Sequence, residues 1–192
     1  MSSDAVEGKI LEAAIQCVEE FGLKGATNRR ISEKAGVNLA AINYYFRSKE
    51  NLIDRIMEST LDNAFDWEDI SKLPGNTAKE RCIAIFDDLI KGGCKYPGIT
   101  RAHFHDLITE GNYNSLVVRK YNDFLTHLCE DLSQRGVGLS QDDLKMACSQ
   151  IASACFLVIL APELNVPSLG IDLQNDETRR RFVSRLVDKL LS

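Results

Sequence analysis

The chain of 192 residues carries 44% hydrophobic and 27% charged side chains with only 4 Pro and 12 Gly, which suits a globular fold and excludes a low-complexity, collagen-like or largely disordered polymer. Its longest unbroken apolar run, residues 154–161, ends at Pro162 far short of the ~20 residues that cross a bilayer, so no membrane span is expected. Net charge is −5, yet residues 25–49 hold five Lys/Arg against Glu33 alone, a local basic patch on an acidic chain that suits a partner met through one small surface and disfavours indiscriminate polyanion binding.

Helical periodicity dominates from the start, with no alternating strand pattern and no internal repeat, so the fold expected is all-α. Val6, Ile10, Ala14, Cys17 and Phe21 recur at steps of three and four, predicting an amphipathic first helix that ends at Gly22 and Gly25. Thr27 is suited to cap a short second helix through Ile31 to Ala35, which Gly36 stops. Asn38 can cap a third helix, Leu39 to Phe46, and a fourth starts after Ser48 with Glu50 and Asp54 near its positive end.

Further breaks are expected at residues 71–76, 91–98, 111–112, 135–138 and 162–170, dividing the rest into about five helices and the chain into about nine. Ser140 with Asp143 begins a helix reaching Leu160, whose middle carries small residues suited to close packing. The last helix, from about Asp176, sets the stripe Phe182, Val183, Leu186, Val187, Leu190 and Leu191 behind a basic cluster, Arg179 to Arg181; a core and a subunit interface would both satisfy that stripe.

The segment most informative about function is residues 27–49, TNRRISEKAGVNLAAINYYFRSK. Two short helices joined by a glycine turn make a helix-turn-helix, with Ile31, Ala35, Val37, Ile42 and Phe46 locking the pair. That leaves Asn38, Leu39, Ala40, Asn43 and Tyr44 on the outer face of the second helix, slim enough at its start to enter a major groove. Thr27, Tyr44, Tyr45 and Lys49 carry groups suited to phosphate oxygens, and Arg29 and Arg30 are either phosphate contacts or a solvated face.

Residues 6–57 resemble the DNA-binding domain of TetR-family bacterial transcriptional regulators. The resemblance rests on Ile31, Glu33, Lys34, Ala35-Gly36-Val37, Ala40, Ala41, Tyr44 to Phe46 and Ser48 to Glu50. It implies DNA contacts at Leu39, Ala40, Asn43, Tyr44, Tyr45 and Lys49, with Thr27 capping its helix at a phosphate. Asn43 departs from the family's usual aromatic and is suited to read a base, adenine by a bidentate contact. The resemblance further implies a three-helix DNA-binding domain over 1–53, a helical ligand-binding and dimerisation domain over 54–192, and a homodimer on a palindromic double-stranded operator, most commonly a repressor released by a small-molecule inducer. The last two long helices would form the dimer's four-helix bundle, through Ala147, Ile151, Ala154, Val158, Phe182, Leu186 and Leu190.

An effector pocket is expected among Phe86, Phe104, Tyr121, Phe124 and Phe156 as apolar walls, with His103 and His127 as polar handles. No nucleophile elbow, zincin, P-loop or dinucleotide fingerprint is present, and His103-x-His105 would diverge on a helix, so neither enzyme, metal site nor cofactor is expected. The N-terminal MSSDAVEGK has no apolar signal segment, and a cytoplasmic location follows as an expectation. The six cysteines form no CxxC pair and read as small buried hydrophobes; as an alternative, Cys94 between Lys91 and Lys95 in a glycine-rich loop suits a thiol redox-responsive DNA-binding regulator.

Overall fold

In the computed structural model, which describes residues 3–192, the chain is helical throughout: α1 (Ser3–Gly25), α2 (Asn28–Ala35), α3 (Leu39–Phe46), α4 (Lys49–Ala64), α5 (Trp67–Ser71), α6 (Ala78–Lys95), α7 (Pro97–His103), α8 (His105–Glu110), α9 (Leu116–Gln134), α10 (Gln141–Leu160), α11 (Val166–Leu169) and α12 (Asp176–Leu190). Among the described residues there are thus twelve helices where about nine were expected. Four of them, α5, α7, α8 and α11, are only four to seven residues long, below the length at which periodicity is readable.

The expected break at 91–98 lies mostly inside a helix. α6 runs through Gly92, Gly93 and Cys94 and ends before Pro97. Gly93 is needed there for packing, since a Cβ would sit 2.2 Å from Ile159 Cγ2 of α10. A capping box starts this helix: Thr77 Oγ1 accepts from the Glu80 N–H and the Glu80 carboxylate accepts from the Thr77 N–H.

Two compact units result, residues 1–63 with 98–112 and residues 64–97 with 113–192. The division expected at 53/54 falls inside α4, a continuous sixteen-residue helix, and a stretch from mid-chain joins the first unit. The first unit buries Ile10, Ala14, Cys17, Val18, Ile31, Ile42, Leu52 and Ile56 with Ile99. Phe21, expected on the buried stripe of α1, is 46% exposed, and the Arg30 guanidinium lies over its ring at 4.4 Å.

In the second unit α6, α9, α10 and α12 enclose the core. By length and composition α10 is apolar enough to cross a membrane, which the count of unbroken apolar residues did not reveal. Its Leu144, Ala147, Cys148, Ile151, Ala152, Cys155, Val158 and Ile159 are buried within this unit, the pattern of a core helix.

Two arginines sit inside that core. Arg81, fully buried, donates from Nη2 to Ile70 O at 2.7 Å, from Nη1 to Leu73 O and from Nε to Asp131 at 3.2 Å. Arg179, from the basic cluster that starts the last helix, is 2% exposed and donates from Nε to Asp87 at 2.8 Å and from Nη2 to Asp176 at 2.7 Å. Each guanidinium has the carboxylate partner that a buried charge requires.

Candidate nucleic-acid interface

The first unit holds the helix-turn-helix, and its sequence accounts for each joint. At Gly22 the backbone turns to φ 68°, bending the end of α1. Thr27 Oγ1 then accepts from Arg30 N at 3.3 Å, starting α2. Gly36 ends α2 at φ 66°, its N–H returning to Glu33 O, and Asn38 Oδ1 accepts from Ala40 N at 3.0 Å to start α3. Ile31, Ile42 and Phe46 are buried in the shared core with Ala35 and Val37 packed against it, the set the sequence nominated.

What remains outward on α3 is a continuous face. Leu39 is 50% exposed, Tyr44 is 80% exposed, and Asn38, Ala40 and Asn43 are exposed between them. Arg47, absent from the sequence-based set, continues the row 39, 43, 47; it is exposed and sits at φ 66° just past the end of α3. Its signal was its spacing from Asn43. Tyr45 is half-buried, packed on the core with its ring 5.0 Å from that of Tyr44 in an edge-to-face pair.

The flanking polar and charged groups are each engaged within the unit. Thr27 and Arg29 are exposed, and Arg29 Nε donates to Glu33 at 2.8 Å on the same helix. Arg30 Nη1 donates to Gly25 O at 2.8 Å, so this arginine braces the bend before α2. Lys34 pairs with Glu20. Lys49, half-buried, donates from Nζ to Leu23 O at 3.3 Å, tying the start of α4 to the end of α1. At that start, backbone N–H and the Ser48 hydroxyl hold the Glu50 carboxyl below its ordinary range, as expected at the positive end of a helix.

Residues 10–56 match the family described as bacterial regulatory proteins, tetR family. That match covers the helix-turn-helix part of the chain. The HTH-type transcriptional regulator BetI of Escherichia coli O17:K52:H18 is 30% identical over 81 residues, 41% of this chain and 42% of that protein, so the alignment spans less than half of the relative's length. Over nearly the whole chain the fold is similar to a transcriptional regulator from Rhodococcus sp. Rha1 (TM-score 0.71, 15% identity, 96% of this chain and 95% of that one). It is similar also to FadR from Bacillus subtilis, solved in complex with stearoyl-CoA (TM-score 0.67, 18% identity, 96% and 97% covered).

The residues nominated for an effector pocket do not fall in one unit. Phe86, Tyr121, Phe124, His127 and Phe156 belong to the second, whereas His103 and Phe104 belong to the first. Phe124 is the hub of the former group, its ring 6.0 Å from Phe86, 5.6 Å from Phe65 and 6.2 Å from Trp67. Tyr121 meets Phe156 at 5.0 Å, and Trp67 lies 5.3 Å from His127. Phe65 and Trp67 thus join this aromatic set.

The nominated dimer residues also divide. Ala147, Ile151 and Val158 are buried by their own subunit, because α10 packs on α6 and α9 through that face. Ala154 on α10 and Phe182, Leu186 and Leu190 on α12 are half-buried. The apolar residues that α10 leaves outward are Met146 and Leu157, 58% and 54% exposed.

Cys94 decides between its two readings. It is helical, 6% exposed, with its thiol 3.9 Å from Val158 O, and burial pushes the thiol up; it is the small buried hydrophobe expected, and the alternative of a looped, activated cysteine falls away.

Proposed function

We propose that this chain is a DNA-binding transcriptional regulator that occupies a palindromic operator as a homodimer, with residues 1–53 as its DNA-binding domain and residues 54–192 carrying ligand binding and dimerisation. The observation that carries the reading is the outward face of α3, where slim Ala40 between Leu39 and Asn43 gives close access to base edges. Asn38, Leu39, Ala40 and Asn43 meet the major groove, with Asn43 reading adenine. Tyr44, Tyr45, Arg29 and the Thr27 cap hold flanking phosphates, while Lys49 adds charge beside the α2 and α3 pair.

The regulator is a repressor released by a small apolar effector. The aromatic group around Phe124 supports that chemistry, and FadR's stearoyl-CoA is a precedent for an acyl ligand in this fold. Binding there would favour one conformer by its differential affinity for the two. Dimerisation uses the outward side of α10, Met146 and Leu157, with Phe182, Leu186 and Leu190 of α12. Such a protein acts in the cytoplasm, where its operator is.

Titration of the purified protein against fragments of its own upstream region, with excess random duplex as competitor, tests this. Retention of one palindrome by two subunits is expected; genome-wide selection that recovers no enriched fragment would overturn the reading.

A further inference from the structure

The six cysteines occupy unlike surroundings. Cys17, Cys82, Cys94 and Cys155 are buried, and burial pushes each of these thiols up, Cys155 to about 12. An enclosed, protonated thiol is a poor nucleophile. Cys129 and Cys148 differ from them by position. α9 packs on α10, and both thiols line one open groove of about 560 Å³ whose walls include Thr126, Glu130 and Lys145. Cys129 is half-buried on the groove wall, whereas Cys148 behind it is 1% exposed.

We propose that Cys129 is a peroxide-reactive thiol and Cys148 its resolving partner, so that a hydroperoxide entering this groove links α9 to α10 through an intrachain disulfide. The arrangement divides the two roles. A hydrogen bond from Cys148 stabilises the Cys129 thiolate, and together with the Lys145 ammonium it outweighs burial and the Glu130 carboxylate, lowering the Cys129 thiol below its ordinary range. The same hydrogen bond and the deeper position raise Cys148, which keeps its proton until it is needed.

In the first step the Cys129 sulfur attacks one peroxide oxygen and the O–O bond breaks. The leaving oxygen takes a proton as water or alcohol, and Cys129, oxidised by two electrons, becomes a sulfenic acid. In the second step Cys148 loses its proton and attacks the Cys129 sulfur. The S–S bond forms, the S–O bond breaks, and the hydroxide leaves as water with that proton. Two thiols and one hydroperoxide thus give one disulfide, one water and a second water or alcohol. This chemistry stands independently of DNA binding.

The test is peptide mapping by mass spectrometry of the full-length protein after graded hydrogen peroxide, alkylation and digestion without reductant. A cross-linked peptide pair joining Cys129 to Cys148, lost on adding dithiothreitol, is expected before modification of Cys82, Cys94 or Cys155. In Cys148→Ser the reaction stops at a dimedone-trapped sulfenic acid on Cys129, and in Cys129→Ser the cross-link is absent. Oxidation that begins at another cysteine, a Cys129 that pairs with Cys82, or disulfides only between chains would each overturn the proposal. Mapping of the unsubstituted protein decides the matter even where a variant fails to fold.

Discussion

Gly98 lies against the backbone of Glu19: a Cβ at position 98 would stand 2.2 Å from the Glu19 carbonyl oxygen, and the neighbouring Ile99 N–H donates to the Glu19 carboxylate at 2.8 Å. Residues some eighty positions apart are therefore held in backbone contact, which is how mid-chain residues become part of the first unit. Gly98→Ala has no flexible side chain to push aside and must move a main chain, so a loss of about 1–3 kcal/mol is expected. Thermal unfolding checks this, and hydrogen exchange should show the loosening at the end of α1. An unchanged melting temperature would show that the contact relaxes freely.

Gly93→Ala sets two effects against each other. Replacing a helical glycine gains about 1 kcal/mol of propensity, but the new Cβ would overlap Ile159 Cγ2 at a cost of about 1–3 kcal/mol. Net destabilisation is expected. Combined with Ile159→Ala, the loss should be smaller than the sum of the single losses, because one substitution vacates the space the other needs.

The pH response of the first unit turns on His103. The Thr60 hydroxyl donates its one hydrogen to Ile56 O at 2.7 Å, so at 3.0 Å His103 Nε2 is the donor to Thr60 Oγ1. Burial pushes His103 down to about 4, whereas the unfolded chain titrates near 6.5. The unfolded state then binds more protons between those values, so this contribution is complete above 6.5 and is lost as pH falls to about 4. It amounts to no more than about 3 kcal/mol, at 1.36 kcal/mol per unit. Melting curves taken across that window should fall steeply for the unsubstituted protein and less steeply for His103→Gln.

Asp87→Ala removes the carboxylate facing the buried Arg179 Nε, leaves the exposed Asp176 to balance the guanidinium, and should cost about 1–3 kcal/mol for the buried donor left unsatisfied. The double variant Asp87→Ala with Arg179→Met, which removes that donor, should recover much of the loss in chemical denaturation. Equal losses in single and double variants would contradict that account.

On DNA, Asn43→Ala and Tyr44→Phe should separate two kinds of contact. The first should blunt discrimination at one position of each half-site, by about 1–3 kcal/mol. The second removes the exposed hydroxyl proposed to meet a phosphate and should weaken specific and random duplex alike. Competition titrations at fixed salt read both, and equal effects of the two variants on random DNA would remove Asn43 from the reading set.

Much of the first unit was legible because its determinants are local. A cap at Thr27 or Asn38 and a turn at Gly36 are satisfied within a few residues, and the locking set Ile31, Ile42 and Phe46 follows from helical spacing. The outward face of α3 followed by subtraction, although Arg47, lying beyond the helix end, escaped it.

The sequence by itself thus determined the helical class, the helix-turn-helix and its outward residues, since hydrogen-bond caps and the 3.6-residue period act between near neighbours. Tertiary structure alone decided the rest. It placed residues 98–112 with the first unit, turned Arg179 inward onto Asp87, buried Ala147, Ile151 and Val158 within their own subunit, and enclosed Cys94 while setting Cys129 against Cys148. Which apolar or ionic face is covered depends on what a distant helix brings to it, and that pairing is a property of packing rather than of any local run of residues.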